Sequence, residues 1–119
     1  MKIHLSFLSL IFIIAACVHP NPTESNPTGN DSPVINNIFI DPIFITVGST
    51  TTITVDATDP NGDDLSYSWT VALGDIIGSG NQVKYTAAFC CVGTNTVHVG
   101  VKDSRGATTK GSIDIVVNP

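Results

Sequence analysis

The chain has 119 residues, 42% hydrophobic and only 13% charged, with a formal net charge of -5. That length holds one small domain and not two. The acidic balance offers no basic stripe for a phosphate backbone, which argues against nucleic acid as a partner.

Lys2 and His4 precede an apolar run from Leu5 to Ala16. The run has the length of a signal-peptide core and is short for a bilayer span. It ends Ile14-Ala15-Ala16-Cys17. An aliphatic residue, two small residues and a cysteine resemble the lipobox of bacterial lipoproteins. The resemblance implies that residues 1–16 are a signal peptide and that Cys17 is lipidated and becomes the mature N-terminus. An ordinary secretory leader is the alternative. Two or more acyl chains are enough for stable membrane anchoring. Val18 follows the cysteine, so the Asp that retains enteric lipoproteins at the inner membrane is missing. The expected location is therefore the extracytoplasmic cell envelope, with the outer membrane favoured in a Gram-negative cell.

Residues 17–32 are the lipidated cysteine and a flexible linker. The stretch Val18 to Ser32 is rich in Pro, Asn, Thr and Ser and has no apolar period. Such a segment cannot bury enough surface to offset its ordering entropy. His19 lies within it, and solvation is its simplest fate.

From Pro33 to Pro119 the pattern is that of short β-strands separated by turns. Val34 to Ile40 is a first strand, broken at Asp41-Pro42, and Ile43 to Val47 continues it as an edge. Thr50 to Thr58 alternates, with Ile53, Val55 and Ala57 on one face and Thr52, Thr54 and Asp56 on the other. This period of two marks a half-buried strand. Asp59-Pro60-Asn61-Gly62-Asp63 is a turn. Leu65, Tyr67, Trp69 and Val71 alternate next; Val83 and Tyr85 mark a further strand. Val97, Val99 and Val101 alternate with polar residues, and Ile113, Ile115 and Val117 close the set. About seven strands of this kind make an all-β antiparallel two-sheet sandwich. Its expected core holds Tyr67, Val55, Val97, Val99 and Ile115, with Trp69 at the centre.

The block VDATDPNGDDLSYSWT, then YTAA, then TNTVHVGVKDSRGATTKGSIDIVV resembles bacterial immunoglobulin-like repeats of the polycystic-kidney-disease (PKD) and cadherin-like type. The Gly-Asp-Gly turn usual in PKD repeats is replaced by Leu73-Gly74-Asp75-Ile76. The resemblance implies an immunoglobulin-like sandwich serving as spacer or binding module on extracytoplasmic proteins. It implies no single ligand.

Two constellations are candidate sites. Asp59, Asn61, Asp63 and Asp64 lie in the loop after the second main strand, and Asp103 in the last hairpin. In an immunoglobulin-like sandwich these loops share one end, where hard oxygen ligands converge as calcium requires. The competing reading is turn chemistry, each Asp or Asn capping its own backbone. The second constellation is Cys90-Cys91, either a vicinal disulfide or two thiols. Adjacent Cα atoms are about 3.8 Å apart, below the usual disulfide span of roughly 4.4–6.8 Å. On a strand the two side chains would face opposite ways. No Cys-x-x-Cys accompanies them, which argues against redox chemistry.

No nucleophile elbow or zinc-binding His pair is present. The expectation is a protein that is not an enzyme and needs no cofactor, calcium aside. Its membrane contact is a lipid anchor, its partner an unidentified protein or glycan, and its role adhesion, recognition or spacing. The alternatives are a spacer cut from a larger tandem-repeat protein and a calcium-responsive binding module.

Overall fold

Alternating side chains dictate two facing layers, and the computed structural model has them. It describes residues 29–119; the expected signal peptide, Cys17 and most of the expected linker lie outside the described residues. Eight strands follow in order: β1 Val34–Asp41, β2 Phe44–Thr46, β3 Thr50–Thr58, β4 Leu65–Val71, β5 Asp75–Ile77, β6 Gln82–Thr86, β7 Gly93–Asp103 and β8 Thr108–Asn118. One sheet has the order β1-β3-β6-β5, the other β2-β8-β7-β4. All pairings are antiparallel except β2 on β8, which is parallel. The architecture is an immunoglobulin-like sandwich.

Two features depart from plain alternation. The register of β1 on β3 shifts between Ile35 and Asn37. The extra residue lets Ile35, Ile38 and Ile40 all face inward although Asn36 and Asn37 stand between them, which is how a bulge re-aims a strand. After Pro42, β2 does not continue β1; it crosses to the other sheet. Thr51 Oγ1 donates to Pro42 O at 2.6 Å and fixes that crossing.

The core is longer at one end than the other. Ile45, Ile53, Val83, Tyr85, Ala87, Cys91, Val97, Ile115 and Val117 form one buried cluster, and Val55, Val99 and Val101 a smaller one. Val55, Val97, Val99 and Ile115 are thus buried. Tyr67 and Trp69 are only half-buried, and the centre passes from Trp69 to Tyr85, which is fully enclosed. The reason is strand order: β4 is the edge of its sheet, whereas β6 is interior in its own. Trp69 leans over the sandwich's open side, packing on both clusters, while its Nε1 donates to Gly80 O at 2.9 Å. Tyr85 donates its hydroxyl to Leu73 O at 3.0 Å. A Cβ at Gly74 would lie 2.5 Å from Tyr85 Cε2, and φ there is +100°. Only glycine meets both demands.

Candidate functional site

The loop between β3 and β4 is shaped by one carboxylate. Asp59 Oδ1 accepts the backbone N–H groups of Asn61 at 2.9 Å and Asp63 at 3.1 Å. Gly62 takes φ +75° within that turn, and its N–H donates to Asp59 O. Asp103 acts alike in the β7–β8 hairpin, where its Oδ1 accepts the N–H groups of Arg105 and Ala107, both at 2.9 Å. Turn capping by Asp is therefore real here. Each cap uses one carboxylate oxygen, Oδ1, and leaves Oδ2 out of the turn.

Asp59, Asp63 and Asp103 each bring a carboxylate oxygen within 4.8 Å of the others. Asp63 Oδ2 lies 3.2 Å from Arg105 Nε. Three carboxylates against one guanidinium leave two negative charges in excess. Asp59 Oδ2 and Asp63 Oδ2 are buried and accept no hydrogen bond among the described residues. Ligand oxygens sit about 2.3–2.6 Å from calcium, so oxygens on opposite sides of the ion are roughly 5 Å apart. The spacing and charge fit such a cation, with Asp59, Asp63 and Asp103 as the residues that would hold it.

The other two expected ligands stand apart. Asp64 is exposed and outside the group. Asn61 turns its Oδ1 to the backbone N–H of Asp31 at 2.8 Å. It thereby fastens the segment entering β1. Asn30 completes that fastening: it is 5% exposed, and its Nδ2 donates to Asp103 Oδ2 at 2.9 Å. Asn30, within the expected linker of residues 17–32, is thereby held against the β7–β8 hairpin. Burial alone would raise the Asp103 carboxyl. The hydrogen bonds from Asn30 and from the backbone of Ala107, Arg105 and Gly106 outweigh it and hold the group below its ordinary range.

At the opposite end, Cys90 and Cys91 sit on a short 3-10 turn, Phe89–Cys91, rather than on a strand. They are two thiols, with Sγ to Sγ 3.2 Å apart. The opposite-face geometry expected of a strand does not apply on this turn. Cys91 is fully buried and Cys90 exposed. Burial, reinforced by the neighbouring thiols, pushes the Tyr85 hydroxyl up to about 12.

A third feature lies on the outer face of β4, β7 and β8. Ser68, Thr70, His98, Gly100, Thr108 and Lys110 line an open trough of about 370 Å³. His98 is exposed there, between Thr70 and Ser112 on the flanking strands.

Residues 30–116 match the family model described as bacterial Ig domain. The match begins at Asn30, the residue whose side chain reaches Asp103. Among solved structures, the PKD domain of an M14-like peptidase from a Thermoplasmatales archaeon is 26% identical. That alignment covers 76% of this chain and 99% of that one, at a TM-score of 0.62. The PKD1 domain of Vibrio anguillarum Epp is 25% identical over 76% of this chain and 99% of its own, at a TM-score of 0.56. A nucleoside hydrolase-related hypothetical protein from Saccharophagus degradans, associated with carbohydrate metabolism, shares the fold at 20% identity and a TM-score of 0.62. The match takes in 80% of this chain but only 28% of that one. No curated protein matches the sequence.

Proposed function

This chain belongs to the bacterial Ig domain family, and on that premise we propose that it is a non-enzymatic module of the cell envelope, anchored by lipid at Cys17, that spaces or presents a recognition surface. One observation carries the reading. The chain enters the sandwich at the acidic end, where Asp31 meets Asn61 and Val34 pairs with Thr58. It leaves at the other end, where Val117 and Asn118 pair with Gly93 and Thr46. A module entered at one end and left at the other holds whatever follows, or its own far tip, away from its tether. The two PKD domains it resembles are parts of a peptidase and of Epp, which fits an accessory role. The open trough on β4, β7 and β8 is the surface best suited to a glycan or protein partner, since it sets hydroxyls, an imidazole and an amine around a mostly apolar lining.

The test is lipid labelling in cells. Radiolabelled fatty acid should enter the wild-type chain, and Cys17→Ser should abolish both the label and recovery with membranes. An unlabelled wild-type chain would remove the anchor from this proposal.

A second reading is favoured by the buried oxygens of Asp59 and Asp63 that accept no hydrogen bond. A divalent cation there would neutralise the cluster and lock the entering segment to both loops, stiffening the joint between tether and module. Extracellular calcium modules bind with Kd of roughly 10⁻⁴–10⁻³ M. Millimolar calcium should therefore raise the melting temperature, by about 4–8 °C for each kcal/mol of binding linkage. Asp63→Asn with Asp103→Asn should erase the rise, and the absence of any rise in the wild type would discard the site.

A further inference from the structure

The short turn between β6 and β7 sets one cysteine in solvent and its neighbour in the core, with their sulfurs in contact. Cys91 is held on every side. Its N–H donates to Ala88 O at 3.0 Å, and its carbonyl accepts Asn95 Nδ2 at 2.6 Å. Its side chain packs in the larger cluster with Tyr85, Ala87 and Val117. Cys90 faces outward beside Phe89, which is 87% exposed. The two sulfurs are 3.2 Å apart, so the buried one is already at attacking distance of the exposed one when that sulfur carries a leaving group.

We propose that Cys90 and Cys91 are an attacking and resolving pair, a site of reversible thiol–disulfide exchange with low-molecular-weight disulfides. The Cys90 thiolate attacks one sulfur of the small disulfide, forming a mixed disulfide and releasing one small thiolate. Cys91 then attacks Cys90 Sγ, and its proton passes to the departing small thiolate. The Cys90–Cys91 bond forms, and the second small molecule leaves as a thiol. Two protein thiols are oxidised, and one disulfide is reduced to two thiols. A bridge between chain neighbours closes almost no loop, so chain entropy scarcely holds it shut and a dithiol reopens it. The site therefore cycles rather than serving as a staple. Its location at the far end from the acidic junction makes the tip, with exposed Phe89 and Val92, the part that senses the change. The hydrogen bond to Cys91, with lesser help from burial, raises the Cys90 thiol above its ordinary range. Exchange accordingly quickens as pH rises, because the thiolate is the nucleophile.

The experiment uses the reduced full chain carrying Cys17→Ser, which leaves two thiols. It is incubated with glutathione disulfide and read by intact mass and thiol count. Both thiols should disappear with a mass loss of two hydrogens and no lasting adduct, and dithiothreitol should restore them. Adding Cys91→Ser should trap one glutathione at Cys90. Adding Cys90→Ser, at an exposed position that tolerates the change, should leave the buried Cys91 unreacted while the chain stays folded by circular dichroism. A persistent adduct with both cysteines present, or Cys91 reacting as fast without Cys90 as with it, would overturn the pair.

Discussion

The two ends of this sandwich are held by different physics. At the far end eight buried residues pack in one cluster with Tyr85, and the strands there owe their order to removal of apolar surface from water. At the entrance the buried apolar cluster is only Val55, Val99 and Val101, and the loops beyond it are organised by Asp59, Asp103, Asn61 and Asn30. A packed end tolerates salt and pH but not a cavity. A polar end tolerates small changes of volume but responds to protons and cations. The difference teaches that one small domain can be packed by apolar burial at one end and organised by polar side chains where the chain enters it.

The largest effect that would break this contrast lies at the packed end. Tyr85→Ala should cost about 3–5 kcal/mol of unfolding free energy in urea titrations, as truncation of a buried aromatic does. A loss no greater than that of an entrance variant would erase the asymmetry. Gly74→Ala should follow. It adds a methyl against the Tyr85 ring and forces a positive φ on a residue with a side chain, so a loss of at least about 1–3 kcal/mol is expected. Trp69→Phe should cost less, about 1 kcal/mol, because it keeps an aromatic body over both clusters and forfeits the indole bond to Gly80.

Acid sharpens the contrast from the other side. Asp103 has its carboxyl depressed in the folded state. Its contribution is complete above the unfolded value of about 3.9 and is lost as pH falls through the folded value. Stability measured by denaturant titration should thus decline below about pH 4, and the decline should be shallower in Asp103→Asn. Tyr85→Phe should leave that acid limb unchanged, since the tyrosine titrates only near the alkaline extreme.

Much of the fold is legible in the alternation itself. The strands β3, β4, β7 and β8 read directly, because a half-buried strand imposes a period of two. The bulge at Asn36 and the crossing of β2 to the other sheet do not read, since both depend on which strand becomes the neighbour. Trp69 illustrates the same limit. Its size and spacing say core, but whether its strand is an edge is decided by pairing far along the chain. The convergence of Asp59, Asp63 and Asp103 follows from loops sharing one end, whereas Asp64 stands exposed outside the cluster and Asn61 gives its Oδ1 to the N–H of Asp31. Asn30 could not be found in that way: it lies in a polar stretch with no period, and its partner is 73 positions away. The cysteines read as strand residues because the turn Phe89–Cys91 carries no Gly or Pro to announce itself.

Amide hydrogen exchange on the full chain, with and without millimolar calcium, tests the contrast between the ends most directly. Calcium should slow exchange at Asp31, Asn61, Asp63, Arg105 and Ala107, and leave Tyr85, Val97 and Ile115 as they were. Equal slowing at both ends, or none at the entrance, would contradict it.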